Sequence, residues 1–158
     1  MIRKCLREDA GQVMKIWLDS NMEAHKFIPG EYWLSNYSMV QEQLLQAEIY
    51  IYEADRGIRG FIGIVDGYIA GVFVDRKYRS LGIGRQLLEY AKKRYSTLSL
   101  NVYKQNKRAV DFYLRERFSI LSEDIEETTG EVEYTMTWEK KVQDEEGVQE
   151  RMYVIETR

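Results

Sequence analysis

Residues 79–84 read Arg-Ser-Leu-Gly-Ile-Gly and follow shortly after an apolar run, Val-Phe-Val at residues 72–74. Apolar residues at helical spacing begin immediately after the glycines, so the pattern predicts a strand, a glycine turn and a helix. The first backbone N–H groups of such a helix have no partner within the helix. Together with Arg79 and Arg85, they predict a site for a phosphate or pyrophosphate. An ordinary strand-to-helix connection is the alternative interpretation.

Two common phosphate-binding motifs do not fit this bend. A mononucleotide P-loop requires Lys-Ser/Thr after its last glycine, and neither residue follows Gly84. The dinucleotide-binding motif requires a third glycine, and Leu87 stands in its place. A pyrophosphate held by backbone amides is the remaining interpretation.

An aromatic segment around the only histidine is the second candidate for chemistry. His25 has an intrinsic pKa suited to accepting a proton near neutral pH, although a lone histidine is more often a packing residue. Phe27, Tyr32 and Trp33 follow it, and such rings can bind the stem of an amine or its cation. The same rings could simply pack two helices against a sheet.

These residues require a scaffold of alternating strands and helices. Strands are predicted at residues 2–6, 48–54, 61–65, 68–74, 98–103, 118–125 and 132–138, and helices at residues 9–21, 32–47, 83–95 and 106–114. The order is β-α-α-β-β-β-α-β-α-β-β. The helix after the glycine bend makes the strands on its two sides parallel, so the fold class is α+β with a mixed sheet.

Composition excludes several classes of protein. A length of 158 residues predicts one domain, and 44% hydrophobic with 31% charged residues is typical of a globular chain. The net charge of −3 argues against nucleic acid as the main ligand. The single cysteine, Cys5, allows no internal disulfide, and no signal peptide or membrane span is evident, so a cytoplasmic location is expected.

Two motifs in the right order resemble the GNAT superfamily of N-acetyltransferases. Residues 79–84 match its Arg/Gln-x-x-Gly-x-Gly/Ala signature, and residues 106–113 match its Asn-x-x-Ala-x-x-Phe-Tyr pattern. The resemblance covers residues 1–139 and leaves a charged extension at residues 140–158, which could add an edge strand at residues 152–155 or form a tail. Residues 24–33 further resemble small bacterial members that include protein-lysine acetyltransferases.

The resemblance implies a mostly antiparallel sheet of six to seven strands with a central, splayed parallel pair and about four flanking helices. It implies acetyl-coenzyme A as the co-substrate and no metal. The residues that it places at the cofactor are Phe73, Val74, Arg79, Ser80, Leu81, Gly82, Ile83, Gly84, Arg85, Asn106 and Tyr113. Ser80 and Arg117 stand where the family often has glycine, and Arg76 where it often has proline.

The resemblance also implies direct attack of an amine on the thioester. Tyr113 matches the tyrosine that protonates the departing thiolate, and a phenol pKa of about 10 lies above a thiol pKa of about 8.5. Tyr68 stands where some members carry a glutamate base, which leaves His25, Glu31 or a water chain as proton acceptor. The residues predicted to line the acceptor site are Phe27, Glu31, Tyr32, Trp33 and Tyr68.

Some questions stay open at this level. The acceptor could be a protein lysine, an N-terminal amine or a small-molecule amine, and the chain could be a monomer or a homodimer. No nucleic acid or membrane is expected as a partner. A non-catalytic acyl-coenzyme A sensor or interaction module is the alternative function.

Overall fold

The computed structural model describes residues 1–141, and within them seven strands and four α-helices follow in the predicted order. The strands are β1 (Ile2–Lys4), β2 (Glu48–Ala54), β3 (Gly57–Val65), β4 (Tyr68–Val74), β5 (Thr97–Tyr103), β6 (Ser119–Ile125) and β7 (Val132–Glu139). The helices are α1 (Ala10–Ala24), α2 (Gly30–Leu44), α3 (Ile83–Lys92) and α4 (Lys107–Arg115). The predicted strand at residues 152–155 lies outside the described residues.

All seven strands form one sheet in the order β1-β2-β3-β4-β5-β7-β6. Neighbouring strands are antiparallel except β4 and β5, which are parallel. In the described part of the chain, β4 and β5 pair only at Tyr68 with Ser99 and at Ile69 with Leu100. The two strands separate beyond these residues. The predicted mixed sheet with a central, splayed parallel pair is therefore confirmed.

Each face of the sheet carries its own hydrophobic core. On one face, α3 packs over β2, β3 and β4 and α4 packs over β5, around buried residues such as Leu87, Leu100 and Met136. On the other face, α1 and α2 form a layer whose core with the sheet includes Trp17 and Ile51. Because strand side chains alternate between faces, one sheet separates two helical layers.

The α1–α2 layer covers only part of its face. α1 packs on β3 and β4, and α2 packs on α1. On the same face, the neighbouring strands β5 and β7 carry polar side chains that are exposed or half-buried: Asn101, Tyr103, Glu133 and Thr135. We call these four residues the polar face.

Several predicted boundaries are wrong, for local reasons. α2 begins at Gly30 rather than residue 32, because Pro29 stands directly before the helix and its carbonyl accepts a hydrogen bond from the Tyr32 N–H. It ends at Leu44 rather than residue 47, because the N–H groups of residues 45–47 turn back to the carbonyls of Glu42 and Gln43.

Other predicted boundaries, and one helix start, differ as well. α1 continues to Ala24 rather than residue 21, since the Asn21 side chain donates to the Trp17 carbonyl within the helix. β3 begins at Gly57 rather than residue 61, because its first residues pair with β2. α1 begins at Ala10 rather than residue 9, and the side chain of Asp9 accepts hydrogen bonds from the Leu6 N–H and from Arg3 instead of capping the helix.

Candidate active site

The loop between β4 and α3 has the geometry predicted for an anion site. Gly82 precedes α3 with a φ of 82°, a conformation that favours glycine. The Gln86 N–H donates to the Gly82 carbonyl at 3.0 Å. By helix geometry, the N–H groups of residues 83–85 precede that first bond and have no carbonyl one turn before them. They point out of the helix and can bind phosphate oxygens.

A cleft of about 1420 Å³ opens at this loop and brings most of the predicted cofactor residues together. The predicted residues that line it are Phe73, Val74, Arg79, Ser80, Gly82, Ile83, Gly84, Arg85, Asn106 and Tyr113, joined by His25. Leu81 does not line the cleft, and its side chain is exposed. The cleft is large enough for a coenzyme-sized ligand.

The cleft is strongly basic although the chain as a whole is acidic. Its cationic lining residues are Arg79, Arg85, Lys92, Lys93, Lys107, Arg108, Arg115, Arg117 and Lys140, and its acidic lining residues are Glu23, Glu89 and Glu116. An excess of cations around helix N–H groups suits a ligand with several phosphates. The lining therefore fits the pyrophosphate and further phosphate of coenzyme A.

Glu23 at the end of α1 holds the arginines of the loop. It forms an ion pair with Arg79, and Arg76 approaches it at 3.4 Å between Nε and Oε2. The hydrogen bond from Arg79 holds the pKa of the Glu23 carboxyl below its usual value. Sequence analysis missed Glu23 because its partners lie more than 50 residues away in the chain.

Tyr113 reaches from α4 towards the opening between β4 and β5. It is 6% exposed and packs edge-on against Phe112 and Phe118. Burial raises the pKa of its phenol, while a hydrogen bond with the Val72 backbone on β4 partly offsets the rise. The phenol is therefore neutral at physiological pH and carries a proton to donate.

His25 contacts Asn106, so the two predicted motifs meet. Asn106 Oδ1 accepts from the Ala109 N–H at 3.3 Å and caps α4. Its Nδ2 therefore faces His25 Nε2, at 3.0 Å. Because an amide nitrogen only donates, Nε2 is the acceptor and the imidazole proton is on Nδ1. Burial lowers the pKa of His25 from 6.5 to about 4, so the ring is neutral near pH 7.

The predicted aromatic residues form one cluster beside the polar face. His25 stacks on Trp33 with ring centres 5.3 Å apart, and it contacts Phe27 at 5.6 Å and Tyr103 at 5.1 Å. Tyr32 packs edge-on against Trp33 at 4.9 Å. We call these five residues the aromatic elbow. Tyr103 was not singled out from the sequence, because only strand β5 brings it here.

The remaining predicted acceptor residues lie apart from one another. Glu31 is exposed in the first turn of α2, outside the aromatic elbow. Tyr68 lies on β4, and its hydroxyl donates to Asn101 Oδ1 at 2.9 Å. Asn101 Nδ2 in turn donates to Glu133 Oε1 at 3.3 Å. Within residues 1–141, no group of His, Cys, Asp and Glu side chains is arranged to hold a metal.

Comparison with known proteins agrees with this geometry. Residues 19–152 match the family described as acetyltransferase (GNAT) domain. The chain is 31% identical to the peptidyl-lysine N-acetyltransferase YiaC of Escherichia coli over 87% of its length and 96% of that protein. The solution structure of apo YjaB from Escherichia coli superposes with a TM-score of 0.78 at 25% identity, covering 87% of this chain and 96% of that one.

A more distant structure shares the fold with coenzyme A in place. An aminoglycoside 6'-N-acetyltransferase complexed with coenzyme A superposes with a TM-score of 0.68 at 12% identity, over 88% of this chain and 96% of that one. Among the described residues, no helix is both long and apolar enough to cross a bilayer. The family match, the splayed sheet and the basic cleft lead to one conclusion: this chain belongs to the GNAT acetyltransferase family and is an N-acetyltransferase that uses acetyl-coenzyme A.

Proposed function

We propose that this enzyme acetylates the ε-amino group of lysine side chains in proteins. The observation that carries the proposal is the opening between β4 and β5, which has the basic cleft at one side and the aromatic elbow and polar face beside it. The aromatic rings suit the four-carbon stem of lysine, and the relatives YiaC and YjaB are named peptidyl-lysine N-acetyltransferases.

Different groups of the cleft are assigned to different parts of acetyl-coenzyme A. The N–H groups of residues 83–85 and the side chains of Arg79 and Arg85 are placed to hold the pyrophosphate. Phe73 and Val74 lie where β4 has left β5, so their backbone groups are available to the pantetheine arm. When bound there, the co-substrate supplies an acetyl group activated as a thioester.

Two residues are assigned to proton handling and positioning. Tyr113 is the proton donor for the departing thiolate, because its buried phenol is neutral and close to the strand opening. The proton-acceptor role predicted for His25 requires its lone pair, which accepts a hydrogen bond from Asn106 in this structure. His25 is therefore proposed as a positioning residue that acts through Asn106.

The test compares wild type with Tyr113→Phe on lysine-containing peptides, N-terminal amines and small amines. Free thiol and product mass report turnover, and thermal shift reports acetyl-coenzyme A binding. We expect lysine peptides to be acetylated, and Tyr113→Phe to lower kcat about 100-fold with binding retained. Tyr52→Phe on β2 is the matched control and keeps full activity.

Two results would contradict the proposal in different ways. If small amines are acetylated efficiently and no lysine peptide is, protein lysine is rejected as the acceptor. Binding of acetyl-coenzyme A without thiol release from any amine would instead favour a non-catalytic sensor of acyl-coenzyme A.

A further inference from the structure

A chain of hydrogen bonds crosses three neighbouring strands on the polar face. Tyr68 on β4 donates to Asn101 Oδ1 on β5 at 2.9 Å, and Asn101 Nδ2 donates to Glu133 Oε1 on β7 at 3.3 Å. Thr135 Oγ1 lies 3.0 Å from the same Nδ2 and also accepts from it. These bonds fix the orientation of the amide, and the amide fixes the position of the Glu133 carboxylate.

This chain ends at the opening of the sheet. Tyr68 is the first residue of β4 and one of the two at which β4 still pairs with β5. Tyr113 packs with the opposite layer, yet the Tyr68 phenol contributes electrostatically to its raised pKa. The proton donor proposed above and the start of the hydrogen-bonded chain therefore lie on either side of the same opening.

Tyrosines and carboxylates surround Glu133. Tyr103 lies opposite it on β5 and Asp124 opposite it on β6. The electrostatic influence of Glu133 and of Glu126 extends to Tyr32 of α2 as well as to Tyr103. Partial burial, with Glu126 and Asp124 nearby, raises the pKa of the Glu133 carboxyl. A carboxylate beside other anions and near phenol rings is an environment that favours a bound cation.

The aromatic elbow contains two buried N–H groups that no described residue satisfies. His25 Nδ1 and Trp33 Nε1 are buried and have no hydrogen-bond partner among the described residues. Trp33 is 7% exposed, and both rings belong to the elbow that contacts Tyr103. Buried N–H groups are seldom left without an acceptor.

We propose that Glu133 binds the ammonium group of the acceptor lysine and takes one proton from it, with Tyr32, Tyr68 and Tyr103 beside the lysine stem. This inference rests on the proposed function. One N–H bond of the ammonium breaks, the proton joins a Glu133 oxygen, and the bonding pair stays on nitrogen as the lone pair needed for attack. A lysine amine with a pKa near 10.4 would otherwise stay protonated near neutral pH. The carboxyl then returns its proton to solvent.

Glu133→Gln removes the proton acceptor while keeping the shape of the side chain. Glu139→Gln is the matched control, because it makes the same change of charge at an exposed position at the end of the same strand. We expect Glu133→Gln to lower kcat/KM for a lysine peptide about 100-fold near pH 7. Its kcat/KM should keep rising towards pH 10, because free amine must then come from solution.

A second readout does not depend on turnover. Calorimetric binding of the peptide to the enzyme loaded with coenzyme A should weaken in Glu133→Gln and stay unchanged in Glu139→Gln. Acetyl-coenzyme A affinity should be equal in all three proteins, which shows that the fold is intact. If Glu133→Gln is poorly folded, Glu126→Gln replaces it: loss of the neighbouring anion lowers the pKa of Glu133 and moves the acid limb of kcat/KM to lower pH.

The outcomes separate this inference from the proposed function. If wild type acetylates no lysine peptide, the proposed function fails. If wild type does so and Glu133→Gln matches Glu139→Gln in rate, pH profile and peptide binding, the role of Glu133 alone is rejected. An acid limb that does not move in Glu126→Gln would also reject it.

Discussion

His25 is neutral because burial disfavours the charged imidazolium. The free energy of unfolding should therefore depend on pH in acid. The pKa is 6.5 for an unperturbed imidazole and about 4 in the folded chain. Between these values the unfolded state binds the proton and the folded state does not. The contribution of His25 to the free energy of unfolding is therefore complete above pH 6.5 and is lost as pH falls from there towards 4.

The titration can be followed directly, because the chain contains one histidine. We expect the imidazole NMR signal to stay unchanged as pH falls to about 5.5, and to move only near pH 4 or on acid unfolding. His25→Gln should remove this part of the pH dependence of urea unfolding. A midpoint between pH 6 and 7 in the folded protein would show that the ring is accessible to water.

Some residues of the candidate site could be predicted from a local sequence motif. Others come together only through the pairing of strands that are distant in sequence. Tyr113 and Asn106 belong to one short motif, so the family resemblance implied a shared location for them. Glu133 carries no local signal, because the alternation of β7 assigns it a face but not a neighbour. Its proximity to Asn101 follows from the pairing of β5 with β7, residues that are about 30 positions apart.

Asn106, the residue directly before α4, has two structural roles. Asn106 Oδ1 caps the helix and Asn106 Nδ2 supplies the partner of His25 Nε2. We expect Asn106→Ala to lower the free energy of unfolding by about 2 kcal/mol, from a lost cap and an imidazole nitrogen left without a donor. Urea unfolding near neutral pH measures this change.

Asn106→Asp separates the helix cap from the hydrogen bond to His25. A carboxylate still caps α4, but it cannot donate to His25, and its charge favours the imidazolium. We therefore expect most of the stability to return and the pKa of His25 to rise. If Asn106→Asp is as unstable as Asn106→Ala, the cap contributes little and the bond to His25 dominates.

At the scale of elements, the sequence predicted which strands and helices exist better than where they end. Within residues 1–139 the residue pattern identified all seven strands and four α-helices, although β6 is exposed along its whole length and joins the sheet through β7. The predicted end of a strand or helix was wrong where pairing with another element sets that end. β3 is an example, because its first residues pair with β2. Turns that contain glycine were easier to place; Gly67 and Gly82, for example, adopt positive φ values that few other residues tolerate.

The whole molecule separates its charges by function. The cofactor cleft is basic, whereas Glu133, Asp124 and Glu126 make the surface beside the polar face acidic. A net charge of −3 averages these two regions and reveals neither. Under the proposed function, this separation brings an anionic co-substrate and a cationic acceptor to different sides of the sheet opening, which suits the proposed direct attack.

This separation predicts how the enzyme chooses among lysines. Peptides with basic residues beside the acceptor lysine should have a kcat/KM roughly ten-fold higher than peptides with acidic residues there, at low ionic strength. The preference should shrink between about 0.01 M and 1 M salt, because the Debye length falls from about 30 Å to 3 Å. Saturating acetyl-coenzyme A keeps the salt dependence of co-substrate binding out of the measurement.

Asp124→Asn should reduce this preference for basic peptides and Glu139→Gln should not, since only Asp124 lies opposite Glu133. An equal rate for both peptides at low salt would mean that the acidic surface takes no part in choosing the acceptor.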